Sequence, residues 1–219
     1  MKIGLQILWY FAFPWVLLLC AGTFFQYYDF KNDSHFLEIK RVAVASGWYL
    51  PFFYCHIIAS STILLLGFFQ FSKWVYNNRP LHKVLGKIYV FGVLAFGAPG
   101  AYVMTLFVNR GPGVFISFLL QNTLWVAATL AAWIYIKNRK IDEHVQMMRR
   151  SYALAFGAVT LRFYIWCCTV FGNGVSFKHN YIIIAFLSWV PNLIVVELLN
   201  YYDRKKQVVY QSPVPGLKS

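Results

Sequence analysis

Residues 113–136 read GVFISFLLQNTLWVAATLAAWIYI, and the four that follow read KNRK. No charge interrupts the first stretch, whereas three of the next four residues are basic. A helix that crosses the hydrocarbon core of a bilayer needs about 20 mostly apolar residues. The apolar positions do not alternate with a period of two, and the run is about twice the length of a barrel strand, so a membrane-spanning strand is set aside. The stretch predicts a spanning helix that ends on a basic collar.

Five more segments read the same way, at 3–25, 48–71, 84–108, 151–171 and 181–200. Together the six predict an all-α integral membrane protein, a six-helix bundle forming one transmembrane domain over 1–202. Residues 203–219 are polar, hold Pro213 and Pro215, and are expected to be a disordered cytoplasmic tail. Composition agrees, with 59% hydrophobic, 20% aromatic and 12% charged residues in a chain of 219. Soluble domains carry about 25% charged residues, and disordered chains lack this much apolar side chain. Four cysteines are too few for a disulfide-built scaffold. The first apolar run is long for a signal peptide and leads into Phe24 and Phe25 rather than a small-residue cleavage site. It is expected to stay on the protein as the first helix.

The net charge is +13, from 20 basic and 7 acidic residues. With six spans, 14 of the Lys and Arg residues fall on the side shared by the two termini and the second and fourth loops, 5 fall on the other side, and Arg162 lies within a span. This bias places both termini in the cytoplasm. The basic residues sit in short gaps between spans, so the expected partner is the lipid bilayer and not nucleic acid. The one long loop, 26–47, shows a turn at Lys31-Asn32-Asp33-Ser34 and a short interfacial helix over 36–45.

Ionisable groups inside a membrane are costly and normally face the protein interior. Helical phase puts His56, Ser60, Gly67 and Gln70 on one face of the second helix, and Gln121 and Trp125 on one stripe of the fourth. Polar stripes concentrate on helices 2–5, which are expected to form a four-helix core with helices 1 and 6 outside. Depth then separates two layers. In the external layer, His56, Gln121 and Arg162 each lie roughly 12–13 Å from the outer end of their helix, with Asn122 close by. The cytoplasmic layer holds Gln70, Arg79, His82, Lys83, His144, Arg149 and Arg150, with Glu197 as the acidic residue placed to pair with them.

Two stretches carry a resemblance. One runs from His56 through Gly67-Phe68-Phe69-Gln70 to Arg79-Pro80-Leu81-His82-Lys83-Val84-Leu85-Gly86-Lys87-Ile88-Tyr89. The other is His144-Val145-Gln146-Met147-Met148-Arg149-Arg150-Ser151-Tyr152-Ala153, continuing to Leu161-Arg162-Phe163. Together they resemble the bacterial membrane-protein family called domain of unknown function 2306. The resemblance implies a multi-pass protein of the bacterial inner membrane and marks His56, Gln70, His82, Gly86, Tyr89, His144, Met148, Arg150 and Arg162 as motif positions. Lys83 and Lys87 depart from it, standing where arginine is expected.

The family carries no assigned chemistry, so function is read from the side chains. Neutral imidazoles on facing helices suit a cofactor, and the favoured reading is a redox or cofactor-binding membrane protein holding haem b, a metal ion or a quinone. The cofactor-binding set is His56, Gln70, His82, Tyr89, His144 and Arg162. His82 and His144 are the pair at matched depth that a metal would use. Arg79, Lys83, Arg149 and Arg150 form a candidate anion or headgroup site. A membrane enzyme acting on a lipid or phosphate-bearing substrate, or a small transporter, are the alternatives. No Walker, GxSxG, HExxH or dinucleotide motif occurs.

Overall fold

The computed structural model describes residues 3–30, 35–38, 40–172 and 177–211, the side chains of 3–9, 11, 35, 177–180 and 206–211 excepted. The turn expected at 31–34 lies outside the described residues. The chain is helical in the order α1 (Ile3–Tyr27), α2 (His35–Glu38), α3 (Arg41–Ala45), α4 (Tyr49–Gln70), α5 (Lys73–Asn77), α6 (Arg79–Gly92), a π-turn (Val93–Gly97), α7 (Ala98–Leu106), α8 (Pro112–Lys137), α9 (Ile141–Phe171), α10 (Phe177–Leu187) and α11 (Val190–Gln211). Five helical segments among the described residues are long and apolar enough to cross a membrane: Tyr49–Gln70, Arg79–Leu106, Pro112–Lys137, Ile141–Phe171 and Tyr181–Lys205. Ala12–Tyr27 is a shorter apolar helix. Large apolar side chains such as Leu18, Ile116, Leu120, Ile183 and Leu198 stand on the outer surface, as a lipid-facing wall requires.

Local chemistry explains where several elements begin and end. Ser72 caps α5 by accepting from the Val75 amide, and Asn78 caps α6 by accepting from the Leu81 amide. The Gly97-Ala98-Pro99-Gly100 run leaves the third span helical. It passes through a π-turn instead of breaking, the usual accommodation of a proline whose missing amide interrupts the hydrogen-bond ladder. Helix α9 starts at Ile141, ten residues ahead of the apolar stretch, with Asp142 and Glu143 in its first turn where the helix dipole favours acids.

The last apolar segment is interrupted at Ser188-Trp189, between α10 and α11. Pro191 removes the amide that would bond Leu187, and its ring opposes that carbonyl. Thr160 Oγ1 and Asn192 Nδ2 donate to Ser188 O, the latter at 3.0 Å, so the break carries its own partners. Beyond the apolar stretch α11 runs on through Asp203 to Gln211. Part of the segment expected as a disordered tail is therefore helix. Its Arg204-Lys205-Lys206 run favours that state, and Asp203 is tied to Arg149 at 2.6 Å.

Helix α4 packs on α6, the π-turn and α7. Helix α7 packs on α8, α8 along α9, and α9 back on α4. Helix α1 lies on α4 and α9, α10 on α8 and α9, and α11 on α9. One buried cluster joins Ile63, Tyr89, Val93, Trp125, Leu154 and Trp189 at the centre. A second, with Leu37, Tyr49, Phe53 and Val103, closes one end beneath the short helices of the long loop.

Candidate functional site

A cavity of about 470 Å³ lies between α1, α4, α7, α8 and α9, with Phe36, Lys40, Arg110 and Tyr181 lining one end. It falls in the size range of small-molecule sites, about 300–1,000 Å³. Its wall carries His56 from α4, Gln121 and Asn122 from α8, and Arg162 from α9. Its described lining contains Lys40, Arg110 and Arg162 and no Asp or Glu.

Each of these groups is held from behind. His56 Nδ1 lies 2.7 Å from Gly97 O. A carbonyl only accepts, so Nδ1 carries the proton, and in the neutral ring Nε2 keeps its lone pair. Gly100 permits this approach, since a Cβ there would stand 2.6 Å from Phe52 O and 2.5 Å from His56 Cβ. Gln121 Nε2 donates to Leu154 O at 3.0 Å, and Asn122 Nδ2 to Thr105 Oγ1 at 3.0 Å. Arg162 donates to Ala158 O, one turn back on its own helix, at 3.3 Å. The groups near enough to feel its charge are Tyr27, Tyr181, Cys20 and His56. The Arg162 side chain is exposed and lines the cavity.

The Lys40 end adds residues that sequence reading did not single out. Lys40 Nζ donates to Phe107 O at 2.6 Å and to Asn109 Oδ1 at 3.2 Å. Burial first, and the charge of Arg110 second, hold its ammonium below the ordinary lysine value of 10.5. The Arg110 guanidinium sits 4.6 Å over the Tyr181 ring. Tyr49 is fully buried, and among the described residues its hydroxyl has no hydrogen-bond partner. A signal did exist in the sequence. Lys40 and Arg110 are basic residues on the side that the charge bias leaves poor in them.

The remaining sequence candidates gather elsewhere. Tyr89 is fully buried; its hydroxyl is 2.9 Å from Ser151 Oγ, which is 2.7 Å from Thr129 Oγ1. Tyr152 donates to Leu64 O at 3.1 Å, and Gly67 lies so close beneath that a Cβ there would overlap the Tyr152 ring. Gln70 donates to His82 O at 3.1 Å. These residues join α4, α6, α8 and α9 and do not line the cavity.

His82 and His144 are near enough to interact electrostatically. His144 Nδ1 donates to Ala132 O at 2.9 Å, and His82 Nδ1 is buried without a partner among the described residues. No group of three or more His, Cys, Asp or Glu placed to hold a metal ion occurs among the described residues. Arg150 grips Glu197 with two nitrogens, and Arg149 reaches both Asp203, at 2.6 Å, and Asn200, at 3.1 Å. Both guanidiniums thus already face carboxylates, whereas Arg79 and Lys83 are exposed.

Comparison with curated proteins and with solved structures gives no match. The family described as predicted membrane protein (DUF2306) matches residues 53–200, from Phe53 in the second buried cluster to the Asn200 that meets Arg149. That match takes in most of α4 through the first half of α11, and with it His56, Gln70, His82, Tyr89, His144 and Arg162, so the chain belongs to the DUF2306 family of multi-pass membrane proteins.

Proposed function

We propose that the protein is a six-span membrane protein, with both termini in the cytoplasm of a bacterial inner membrane, that binds a small apolar-bodied ligand among helices 2–5. In this reading α1 is the first span, and α4, the α6–α7 rod, α8 and α9 form the core. The contacts of α4 with α6 and α7, α7 with α8, α8 with α9 and α9 with α4 support that ring. The last span, α10 with α11, and α1 lie outside it.

The observation that carries the proposal is the cavity itself. Three helices contribute His56, Gln121 and Arg162 to the lining of a space of about 470 Å³ inside the bundle. Polar and ionisable groups are expensive at membrane depth and are retained where they meet a ligand, an ion or one another. A lone imidazole among the described lining residues favours a hydrogen bond or proton exchange with a ligand over bis-imidazole haem ligation.

The test is native mass spectrometry of protein released from detergent micelles. Ala158 lines the cavity and Ala127 lies on the outer surface of α8. The wild type and Ala127→Trp are expected to carry the same bound small molecule, and Ala158→Trp, which fills the space, to lack it. Equal adducts in all three would contradict the proposal.

A further inference from the structure

Resting on that ligand-binding reading, we infer that the cavity takes an amphiphile with an anionic head, a carboxylate or phosphate monoester on an apolar chain, oriented like a lipid of the outer leaflet.

Polarity is graded along the cavity. At one end stand Lys40, Arg110 and the partnerless Tyr49 hydroxyl; Arg162 and His56 lie farther in; Leu64, Leu154 and Trp125, whose buried Nε1 also lacks a partner among the described residues, line the far end. From Tyr49 to Leu64 the lining follows α4 for about 22 Å at 1.5 Å per residue. The space is therefore long, with cations near one end and apolar side chains at the other. Tyr49 and Lys40 belong to the end of α4 that is external in the proposed topology. A molecule with its head there and its chain towards the bilayer centre keeps the orientation it has in the outer leaflet.

Charge argues for an anion. Lys40 and Arg110 are near enough to repel, Arg162 stands deeper, and the described lining offers no carboxylate to neutralise any of them. Like charges held together in a partly desolvated space are unfavourable unless a counter-charge arrives. Charge-assisted hydrogen bonds from arginine and lysine to carboxylate or phosphate are about twice as strong as neutral ones. The buried Tyr49 hydroxyl lacks an acceptor, and an anionic oxygen supplies one.

The experiment measures binding of three probes to the full chain in lipid nanodiscs: oleate, oleyl alcohol and acetate. Oleyl alcohol keeps the chain and loses the charge; acetate keeps the charge and loses the chain. Oleate is expected to bind at least tenfold more tightly than oleyl alcohol, and acetate not to displace it. Arg110→Gln is expected to erase most of the tenfold preference, and Arg110→Lys to keep part of it, which separates lost charge from lost folding. Equal affinity for oleate and oleyl alcohol, with binding of both abolished in Ala158→Trp, would overturn the anionic head while leaving the cavity reading intact. Displacement of oleate by acetate at matched concentration would overturn the amphiphile in favour of a free anion. Binding unchanged in Ala158→Trp would remove both readings.

Discussion

His56 on α4 donates through Nδ1 to Gly97 O, 2.7 Å away at the last residue of the π-turn in the neighbouring span. The bond ties the imidazole to the one irregular stretch of that span and fixes which nitrogen keeps the lone pair. Gly100 makes it possible, since a side chain there would meet the backbone oxygen of Phe52, which cannot swing away. Gly100→Ala is expected to destabilise the protein by about 1–3 kcal/mol, the usual range for overpacking. Thermal unfolding in detergent checks this, and a melting temperature equal to wild type would mean the two helices sit farther apart.

A second prediction concerns Tyr89. Its hydroxyl, Ser151 and Thr129 form a chain of hydrogen bonds in the buried centre, at 2.9 and 2.7 Å. Tyr89→Phe keeps the ring and removes the bond, at an expected cost of about 0.5–1.5 kcal/mol. Ligand binding should be unchanged, because Tyr89 lies outside the cavity wall. A double-mutant cycle with Ser151→Ala should show coupling, and strict additivity would count against the bond.

The two arginine pairs should behave differently. Arg150 holds Glu197 through two nitrogens, their side chains 19% and 43% exposed, whereas Arg149 meets Asp203 through one nitrogen, at 29% and 50% exposed. Glu197→Gln is expected to cost about 1 kcal/mol after discounting for exposure, and Asp203→Asn less than about 0.5 kcal/mol. Chemical unfolding of the two variants side by side checks the order, and the reverse order would contradict the geometry.

Lys40 gives a pH signature with two opposite signs. Burial and Arg110 hold its value below 10.5. Between the lowered value and 10.5 the unfolded chain binds more protons than the folded one, so stability without ligand should rise with pH through that window. Affinity for oleate should fall through the same window, because the ammonium that meets the head is being lost. Other charged or titratable groups on the cavity wall are Arg110, Arg162, His56, Tyr27, Tyr49 and Tyr181, so the measurement is made against Lys40→Met. That variant should lose both trends. Retention of either would assign it to another group.

Much of the architecture was legible because the bilayer imposes a simple rule on composition. The uncharged run 113–136 corresponds to α8, Pro112–Lys137, within one residue at each end. The early start of α9 was harder, since residues 141–150 carry four charges and do not read as part of an apolar run. Pro191 stood in the sequence as the cause of the break at Ser188-Trp189, but only packing shows that Thr160 and Asn192 donate to Ser188 O within it. Phase and depth placed His56, Gln121 and Arg162 at one level. They could not separate them from Gln70 and Tyr89, whose partners depend on how neighbouring helices pack. Lys40 and Arg110 were counted as loop charges because nothing local shows that the long loop folds back over the helix ends.

The most direct test of the central claim is cysteine accessibility from outside intact cells, with Cys20, Cys55, Cys167 and Cys168 replaced by alanine. Ala158→Cys, on the cavity wall, is expected to react with externally added methanethiosulfonate reagents, faster with the anionic reagent than with the cationic one, and to be protected by oleate. Ala127→Cys, on the outer surface of α8, is the control and should stay unreactive. An unreactive Ala158→Cys, or one labelled faster by the cationic reagent, would contradict an externally open, basic cavity.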